Sequence, residues 1–195
     1  MMQLILADPK EELCQAWRVA FECYSEVEIF YGRFENIQQF DCMVSAANSF
    51  GLMDGGVDLA IRNYFGNSLQ LQVQRTIIDN YNGEQPVGTS FIVETNHPDH
   101  PFLAHTPTMR VPMPIDNTDN VYQAMKAMLQ AVKSFNAEDE RIKTVVCPGL
   151  GTATGRVPFE EAARQMEVAY RYYKNPPQII NWPSAAARHR SIMNY

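Results

Sequence analysis

One short stretch of almost continuously apolar residues, residues 41–46, constrains the fold of this chain most strongly. A strand that is covered on both faces has this composition, because neither of its faces alternates with polar residues. Residues 143–147 predict a second buried strand. Each of the two is followed by a glycine-rich segment and then by a helical pattern, which predicts strands that lie beneath helices.

The rest of the chain continues this alternation. Further strands are predicted at residues 3–7, 27–31, 89–94 and 102–106, the last two joined by a polar turn. Helices are predicted after Asp8, from near Gly56, over residues 68–81, after Thr118 and after Pro158. The pattern indicates the α/β class, as a three-layer α/β/α sandwich with a mixed central sheet.

Length and composition fit a single domain over residues 1–195. The chain is 46% hydrophobic and 19% charged, which is typical of a globular protein and not of a disordered one. We expect a core at about residues 27–173 and a C-terminal tail, 175–195, without regular structure and packed by Trp182. No apolar run is long enough to cross a membrane and no secretory signal is apparent, so a cytoplasmic protein is expected.

The charge balance limits the possible partners. Sixteen Lys and Arg against 22 Asp and Glu give a net charge of −6. This argues against binding of DNA or a membrane through bulk positive charge. If the ligand is an anion, backbone N–H groups are the obvious donors to hold it.

Neither the cysteines nor the histidines predict a metal site. The four cysteines form no Cys-x-x-Cys pair, and Cys42 and Cys147 border apolar runs, which favours a packing role. His97, His100 and His105 lie among prolines with only Asp99 as a further ligand. We expect a solvated turn there, and no metal.

The first glycine-rich segment covers residues 44–61, between a buried strand and a helix. The pair Gly55 and Gly56 allows the backbone to approach a bound group closely, and the helix start directs free N–H groups at it. Asn48 offers a donor and an acceptor that suit a ribose hydroxyl pair. These residues are equally compatible with a plain role in turning the chain.

The second glycine-rich segment covers residues 146–158 and also joins a buried strand to a helix. Its small residues and hydroxyls are suited to a phosphate cradle. It is not a Walker A loop, because no Lys-Ser/Thr pair follows the last glycine. A Rossmann fold is disfavoured, since only about 40 residues remain for its second half.

Together the two segments resemble the macro domain family, the ADP-ribose-binding module that includes ADP-ribose-1″-phosphate-processing proteins. The family has Asn-Ala-Ala-Asn and then a Gly-Gly-Gly-Val turn into a helix; this chain has Ser45-Ala-Ala-Asn48 and Asp54-Gly-Gly-Val57 at comparable spacing. Its second signature, a glycine-, threonine- and serine-rich loop between two prolines, resembles the segment from Pro148 to Pro158.

The resemblance implies a role for each matching residue. Asn48 would hold the distal ribose, and Asp58, in the place of the aspartate of MacroD-type hydrolases, would assist a water at the anomeric carbon. An acid in the first turn of a helix is also favoured for structural reasons alone. The diphosphate would lie between the two loops, which contribute Gly55, Gly56, Val57, Gly149, Gly151, Thr152, Ala153, Thr154 and Gly155.

The chain departs from the family pattern at the adenine end. Many members have an Asp there that binds the adenine amino group, whereas Gly32 is followed here by Arg33. Phe34 is then a candidate to stack on the base. Asp54 replaces the third glycine and adds a negative charge near the expected diphosphate.

These observations favour a domain that binds ADP-ribose or an ADP-ribosylated protein, without a cofactor. They leave open whether it also hydrolyses ADP-ribosyl linkages, through Asn48 and Asp58, or is a reader without chemistry. A pocket for another nucleotide or a phosphorylated ligand is the further alternative, which Arg33 favours. The sequence does not determine the oligomeric state.

Overall fold

The computed structural model describes residues 2–193, in which strands and helices alternate. The strands are β1 (Gln3–Asp8), β2 (Val27–Tyr31), β3 (Cys42–Asn48), β4 (Phe91–Glu94), β5 (Phe102–Met109) and β6 (Thr144–Cys147). The helices are α1 (Glu11–Ala20), α2 (Gly56–Phe65), α3 (Asn67–Tyr81), α4 (Asn120–Phe135), α5 (Phe159–Lys174) and α6 (Trp182–Met193), with a 3-10 turn at Phe34–Asn36.

The strands form one mixed sheet in the order β2-β1-β6-β3-β5-β4. Five strands are parallel, and only the edge strand β4 is antiparallel to its neighbour β5. The carboxyl ends of the parallel strands therefore lie at one edge of the sheet, where the segments that follow them meet.

Two apolar cores lie on opposite faces of the sheet, because successive side chains of a strand point in opposite directions. In β1, Leu4 and Leu6 belong to the core beneath α1, α4 and α5, whereas Ile5 and Ala7 belong to the core beneath α2 and α3. The predicted α/β/α sandwich with a mixed sheet is confirmed.

The predicted elements occur at the predicted places, with small differences at their ends. Residues 41–46 correspond to β3, which continues to Asn48, and residues 102–106 correspond to β5, which continues to Met109. In both cases parallel pairing between β3 and β5 extends the strand beyond its apolar run, with an irregularity between Ala47 and Asn48.

The expectation of an irregular tail is wrong, because residues 182–193 form α6. Asn181 caps this helix: its Oδ1 accepts from Ser184 N at 2.9 Å, and Ser184 Oγ accepts from Asn181 N at 3.1 Å. Trp182 does not pack the segment, since it is 87% exposed. The helix is instead attached at its C-terminal end, where Arg164 donates to the carbonyl oxygens of Ser191 and Ile192, each at 2.6 Å.

The expected solvated histidine turn is also wrong for two of its three members. His100 is buried, stacks on Phe40 with ring centroids 3.8 Å apart, and lies 4.7 Å from the ring of His97. His105 is fully buried on β5, where its Nδ1 lies 2.6 Å from Gln85 Oε1. Burial lowers the pKa of His105 to about 3, so this ring is neutral and serves packing.

Residues 2–193 contain neither a metal-binding cluster nor a membrane-spanning helix. Nowhere in that range do three or more His, Cys, Asp or Glu side chains come together in a group suited to a metal ion. Within the same range, no helix has the length and apolar character needed to span a bilayer.

Gln165 links α4 to α5, and its removal provides a test of this packing. Its Oε1 accepts from Tyr122 N at 3.0 Å, and its Nε2 donates to Thr118 O at 2.9 Å. We expect Gln165→Met to lower the free energy of unfolding by about 1–3 kcal/mol, because the buried Tyr122 N–H loses its acceptor. Urea denaturation measures this, with Gln130→Met on the exposed face of α4 as control. An equal, small effect of both substitutions would contradict the assignment.

Candidate ligand-binding site

A cavity of about 410 Å³ lies at the carboxyl ends of the parallel strands. This volume falls within the range of small-molecule sites, roughly 300–1,000 Å³. Every residue predicted from the sequence to contact a ligand lines it: Arg33, Phe34, Asn48, Gly55, Gly56, Val57, Asp58, Gly149, Gly151, Thr152, Ala153, Thr154 and Gly155. The fold thus brings together segments that are more than a hundred residues apart in sequence, such as Arg33 and Gly155.

The side chain of Asn48 shapes the first glycine-rich loop. Its Nδ2 donates to Leu52 O at 2.7 Å, while its Oδ1 accepts from Phe50 N at 3.0 Å and Leu52 N at 3.3 Å. The plain turning role that the sequence left open is therefore present. One Nδ2 hydrogen is left over by these bonds, since an amide nitrogen carries two.

The start of α2 opens directly into the cavity. Its N-cap residue, Gly55, has no side chain, so no side-chain oxygen of the cap accepts from the first N–H groups of the helix. A Cβ built on either Gly55 or Gly56 would meet nothing within 4 Å. The φ of +54° at Gly56 favours glycine, whereas Gly55 has an extended φ of −150° that any residue adopts.

The glycines of the second loop are needed for a different reason, which is tight packing. A Cβ on Gly149 would lie 2.6 Å from both Leu13 Cδ2 and Thr152 Oγ1, and one on Gly155 would collide with the backbone carbonyl oxygen of Gly151. Gly155 O also accepts from Ile115 N at 2.8 Å. These glycines are required by the tight packing of the loop, which fixes its shape at the wall of the cavity.

Asp58 is a buried carboxyl group at the inner wall of the cavity. It is 6% exposed, and its Oδ1 accepts from Ser45 Oγ at 2.7 Å. Burial raises the pKa of Asp58 to about 6, and the negative charge of nearby Asp54 acts in the same direction, whereas the Ser45 hydrogen bond opposes them. A carboxyl group with a pKa near 6 can exchange protons close to neutral pH.

Arg33 and Phe34 follow β2 at the other end of the cavity. Arg33 is exposed. The ring of Phe34 is 5% exposed and packs against Tyr64 with ring centroids 5.5 Å apart. Most of the ring surface that was predicted to stack on a base is therefore in contact with the protein, and only a small part faces the cavity.

Sequence reasoning missed the contribution of β1 and β5. Asp8 and Lys10 after β1, and Thr108 and Met109 in β5, also line the cavity. Asp8 Oδ1 accepts from Lys10 N at 3.0 Å; burial raises the pKa of Asp8, and hydrogen bonds from the backbone of Lys10 and Gly149 oppose this. No local sequence signal marks these residues, because only the strand order places the end of β1 beside β6.

Comparison with known proteins assigns the family. The model of the Macro domain family matches residues 44–166, which is more than half of the chain. An uncharacterized protein of Aquifex aeolicus is 33% identical over 135 residues, 69% of this chain and 74% of that protein. The chain therefore belongs to the macro domain family, as its two glycine-rich loops predicted.

Solved macrodomain structures have the same fold. A point mutant of the Oceanobacillus iheyensis macrodomain with ADPR has a TM-score of 0.62 at 20% identity, over 84% of this chain and 89% of that one. The same macrodomain with ADP has a TM-score of 0.57 at 25% identity, over 70% and 71%. The macrodomain of Mycobacterium tuberculosis DarG has a TM-score of 0.57 at 18% identity, over 68% and 82%.

The raised pKa of Asp58 predicts a change in the pH dependence of stability. An ordinary Asp has a pKa near 3.9, so between that value and about 6 the folded state holds a proton that the unfolded state has lost. The contribution of Asp58 to stability therefore falls as pH rises through this window. We expect Asp58→Asn to gain about 2–3 kcal/mol relative to the wild type between pH 4 and pH 7.

Urea denaturation at several pH values measures this difference. The exposed Asp139→Asn provides the matched control and should follow the wild type throughout. A constant difference between Asp58→Asn and the wild type over the whole window would contradict the raised pKa.

Proposed function

We propose that this domain binds ADP-ribose, or the ADP-ribosyl group of a modified protein, in the cavity between the two glycine-rich loops. Gly55 carries the proposal. Its backbone is extended and nothing in the protein lies where its side chain would be, so protein packing gives no reason for a glycine there. The space left by the missing side chain adjoins the start of α2, which favours negatively charged groups.

The composition of the cavity supports a ligand of this kind. A diphosphate between the loops would be held by backbone N–H groups, which are available despite the net charge of −6. Asn48 retains one N–H for a ribose hydroxyl, beyond the bonds to its own loop. The structural neighbour with ADPR covers 84% of this chain, which agrees with the same use of the site.

A graded series at Gly55 tests the binding site. Gly55→Ala and Gly55→Val place one and three carbon atoms in the cavity without backbone strain, because the φ of Gly55 suits both residues. By calorimetry we expect ADP-ribose to bind the wild type more tightly than AMP does, to bind the Ala variant less well, and to bind the Val variant at least about tenfold more weakly.

The circular dichroism spectrum provides the control, and both variants should keep that of the wild type; the melting temperature should fall only slightly, because Ala and Val are poorer N-cap residues than Gly. Undiminished binding of ADP-ribose by folded Gly55→Val would place the ligand elsewhere. Equal affinity of the wild type for ADP-ribose and AMP would exclude a site that extends beyond the first phosphate.

We further propose that the site hydrolyses ADP-ribosyl linkages with Asp58 as general base. The supporting observation is a carboxyl group that lines the cavity and whose pKa is raised to about 6, a value suited to taking a proton from water near neutral pH. Ser45 holds one oxygen of this group at 2.7 Å, which leaves the other available for a water molecule. Cleavage at an anomeric carbon also develops positive charge, which a nearby carboxylate stabilises.

Release of ADP-ribose from mono-ADP-ribosylated proteins tests this proposal. Asp58→Asn keeps the acceptor for Ser45 but removes the base, and we expect turnover to fall at least about tenfold. In the wild type, activity should rise with pH through about 6 as Asp58 loses its proton. Substrates with acidic-residue, serine and O-acetyl ester linkages are all needed, because the cavity does not define the leaving group.

The same assay separates an enzyme from a reader. Binding of ADP-ribose without turnover of any of these substrates would establish a reader and overturn the hydrolase proposal. Turnover that is unchanged in Asp58→Asn would remove Asp58 from the mechanism.

A further inference from the structure

Charged residues are unevenly distributed along the cavity. At the end formed by β3 and α2, the charged lining residues are Asp54 and Asp58, and no cation accompanies them. At the end formed by β1 and β2, the lining includes the cations Lys10 and Arg33 as well as the acids Asp8 and Glu35. We call this second group of four residues the β1–β2 end. An anionic group is repelled less there than at the α2 end.

The strand register brings the two cations to the ends of neighbouring strands. β1 and β2 are parallel neighbours in which Asp8 pairs with Tyr31, and Gly32 N donates to Asp8 O at 3.0 Å. Lys10 and Arg33 each come two residues after these paired positions. Neighbouring strands are about 4.8 Å apart, so the segments that follow β1 and β2 begin at adjacent points of the cavity wall.

Both cations are available to a ligand. Over residues 2–193, neither the Lys10 ammonium nor the Arg33 guanidinium forms an ion pair or a side-chain hydrogen bond. Asp8 attracts the Lys10 ammonium, but its carboxyl group already accepts hydrogen bonds from the backbone N–H groups of Lys10 and Gly149. A neutral adenine ring has no need of two cations, whereas a phosphate monoester takes charge-assisted hydrogen bonds from both.

We propose that the β1–β2 end binds a second phosphate group, carried on the adenosine ribose of the ligand. This inference rests on the proposed function, because it assumes that the diphosphate lies between the two glycine-rich loops. β3 and β6 are neighbours that bear those loops; β1 adjoins β6 on the side away from β3, and β2 lies beyond β1. A ligand whose distal ribose lies at Asn48 and Asp58 therefore directs its adenosine toward Lys10 and Arg33. The domain thus prefers an ADP-ribose that is phosphorylated at the 2′ or 3′ hydroxyl of this ribose.

Calorimetry with two sets of probes tests the preference. The first set compares ADP-ribose with ADP-ribose 2′-phosphate, and the second compares AMP with adenosine 2′,5′-bisphosphate and adenosine 3′,5′-bisphosphate. We expect the added phosphate to increase affinity at least about tenfold at low salt, with a smaller gain at high salt. The two bisphosphates distinguish a 2′-phosphorylated dinucleotide derivative from a 3′-phosphorylated, RNA-type end.

Charge-neutral variants test the assigned residues. Arg33→Met and Lys10→Met should each reduce the ratio of the two affinities, and the double variant should bring it to within about threefold of one. Lys133→Met removes an exposed charge on α4, away from the cavity, and should leave the ratio unchanged. A reduced ratio in Lys133→Met as well would mean that only the overall charge matters, and would overturn the proposal.

The outcomes for the two proposals are separate. If ADP-ribose binds and the added phosphate has no effect or weakens binding, the second phosphate site is wrong while the proposed function stands. If ADP-ribose does not bind but the bisphosphates do, the proposed function is wrong and the cation pair serves another phosphorylated nucleotide. Binding of none of the probes would overturn both.

Discussion

The pairing of β3 with β6 is the constraint on which the site depends, because these two strands carry the two glycine-rich loops. Only two residue pairs of the ladder join them, Cys42 with Val145 and Met43 with Val146. Asp41 reinforces the pairing at its start: its Oδ2 accepts from Lys143 N at 2.7 Å and Thr144 N at 2.8 Å. Because the pairing is parallel, both loops leave the sheet at the same edge and form opposite walls of one cavity.

The sequence was sufficient for the fold and for most of the cavity lining, since the relevant signals are local. Buried strands such as residues 41–46 are recognised by composition, and the loops by their glycines. The features that the sequence did not predict depend on contacts between residues that are distant in sequence. His100 lies in a turn with several polar residues and prolines, yet it is buried because Phe40, sixty residues away, stacks on it. Lys10 joined the site only through the order β2-β1-β6-β3. The helix α6 differs from the prediction for another reason, because its Asn181 cap follows a proline-containing segment that favours irregular structure.

The glycines of the two loops are present for different physical reasons. Some are required by packing, whereas Gly55 is not, so the structural and the functional glycines of the motif can be told apart. Gly149 and Gly155 are enclosed by protein atoms, Gly149 by Leu13 and Thr152 and Gly155 by Gly151 and Ile115, so they would be retained whether or not a ligand binds. Gly55 is not enclosed, and its backbone needs no glycine. In an acidic chain, a position where small size serves no packing purpose and exposes helix N–H groups is a stronger indication of anion binding than the number of glycines.

The buried carboxyl group of Asp58 destabilises the fold at neutral pH. A carboxyl group that is 6% exposed is desolvated, and the single hydrogen bond from Ser45 does not compensate, as its raised pKa shows. Asp54 adds repulsion from the same side of the cavity. An amide or a hydroxyl group would accept the Ser45 hydrogen bond without a charge to bury, so packing does not explain the carboxyl group. Perturbed acids of this kind cluster at functional sites, and here the acid lines the cavity that both loops enclose.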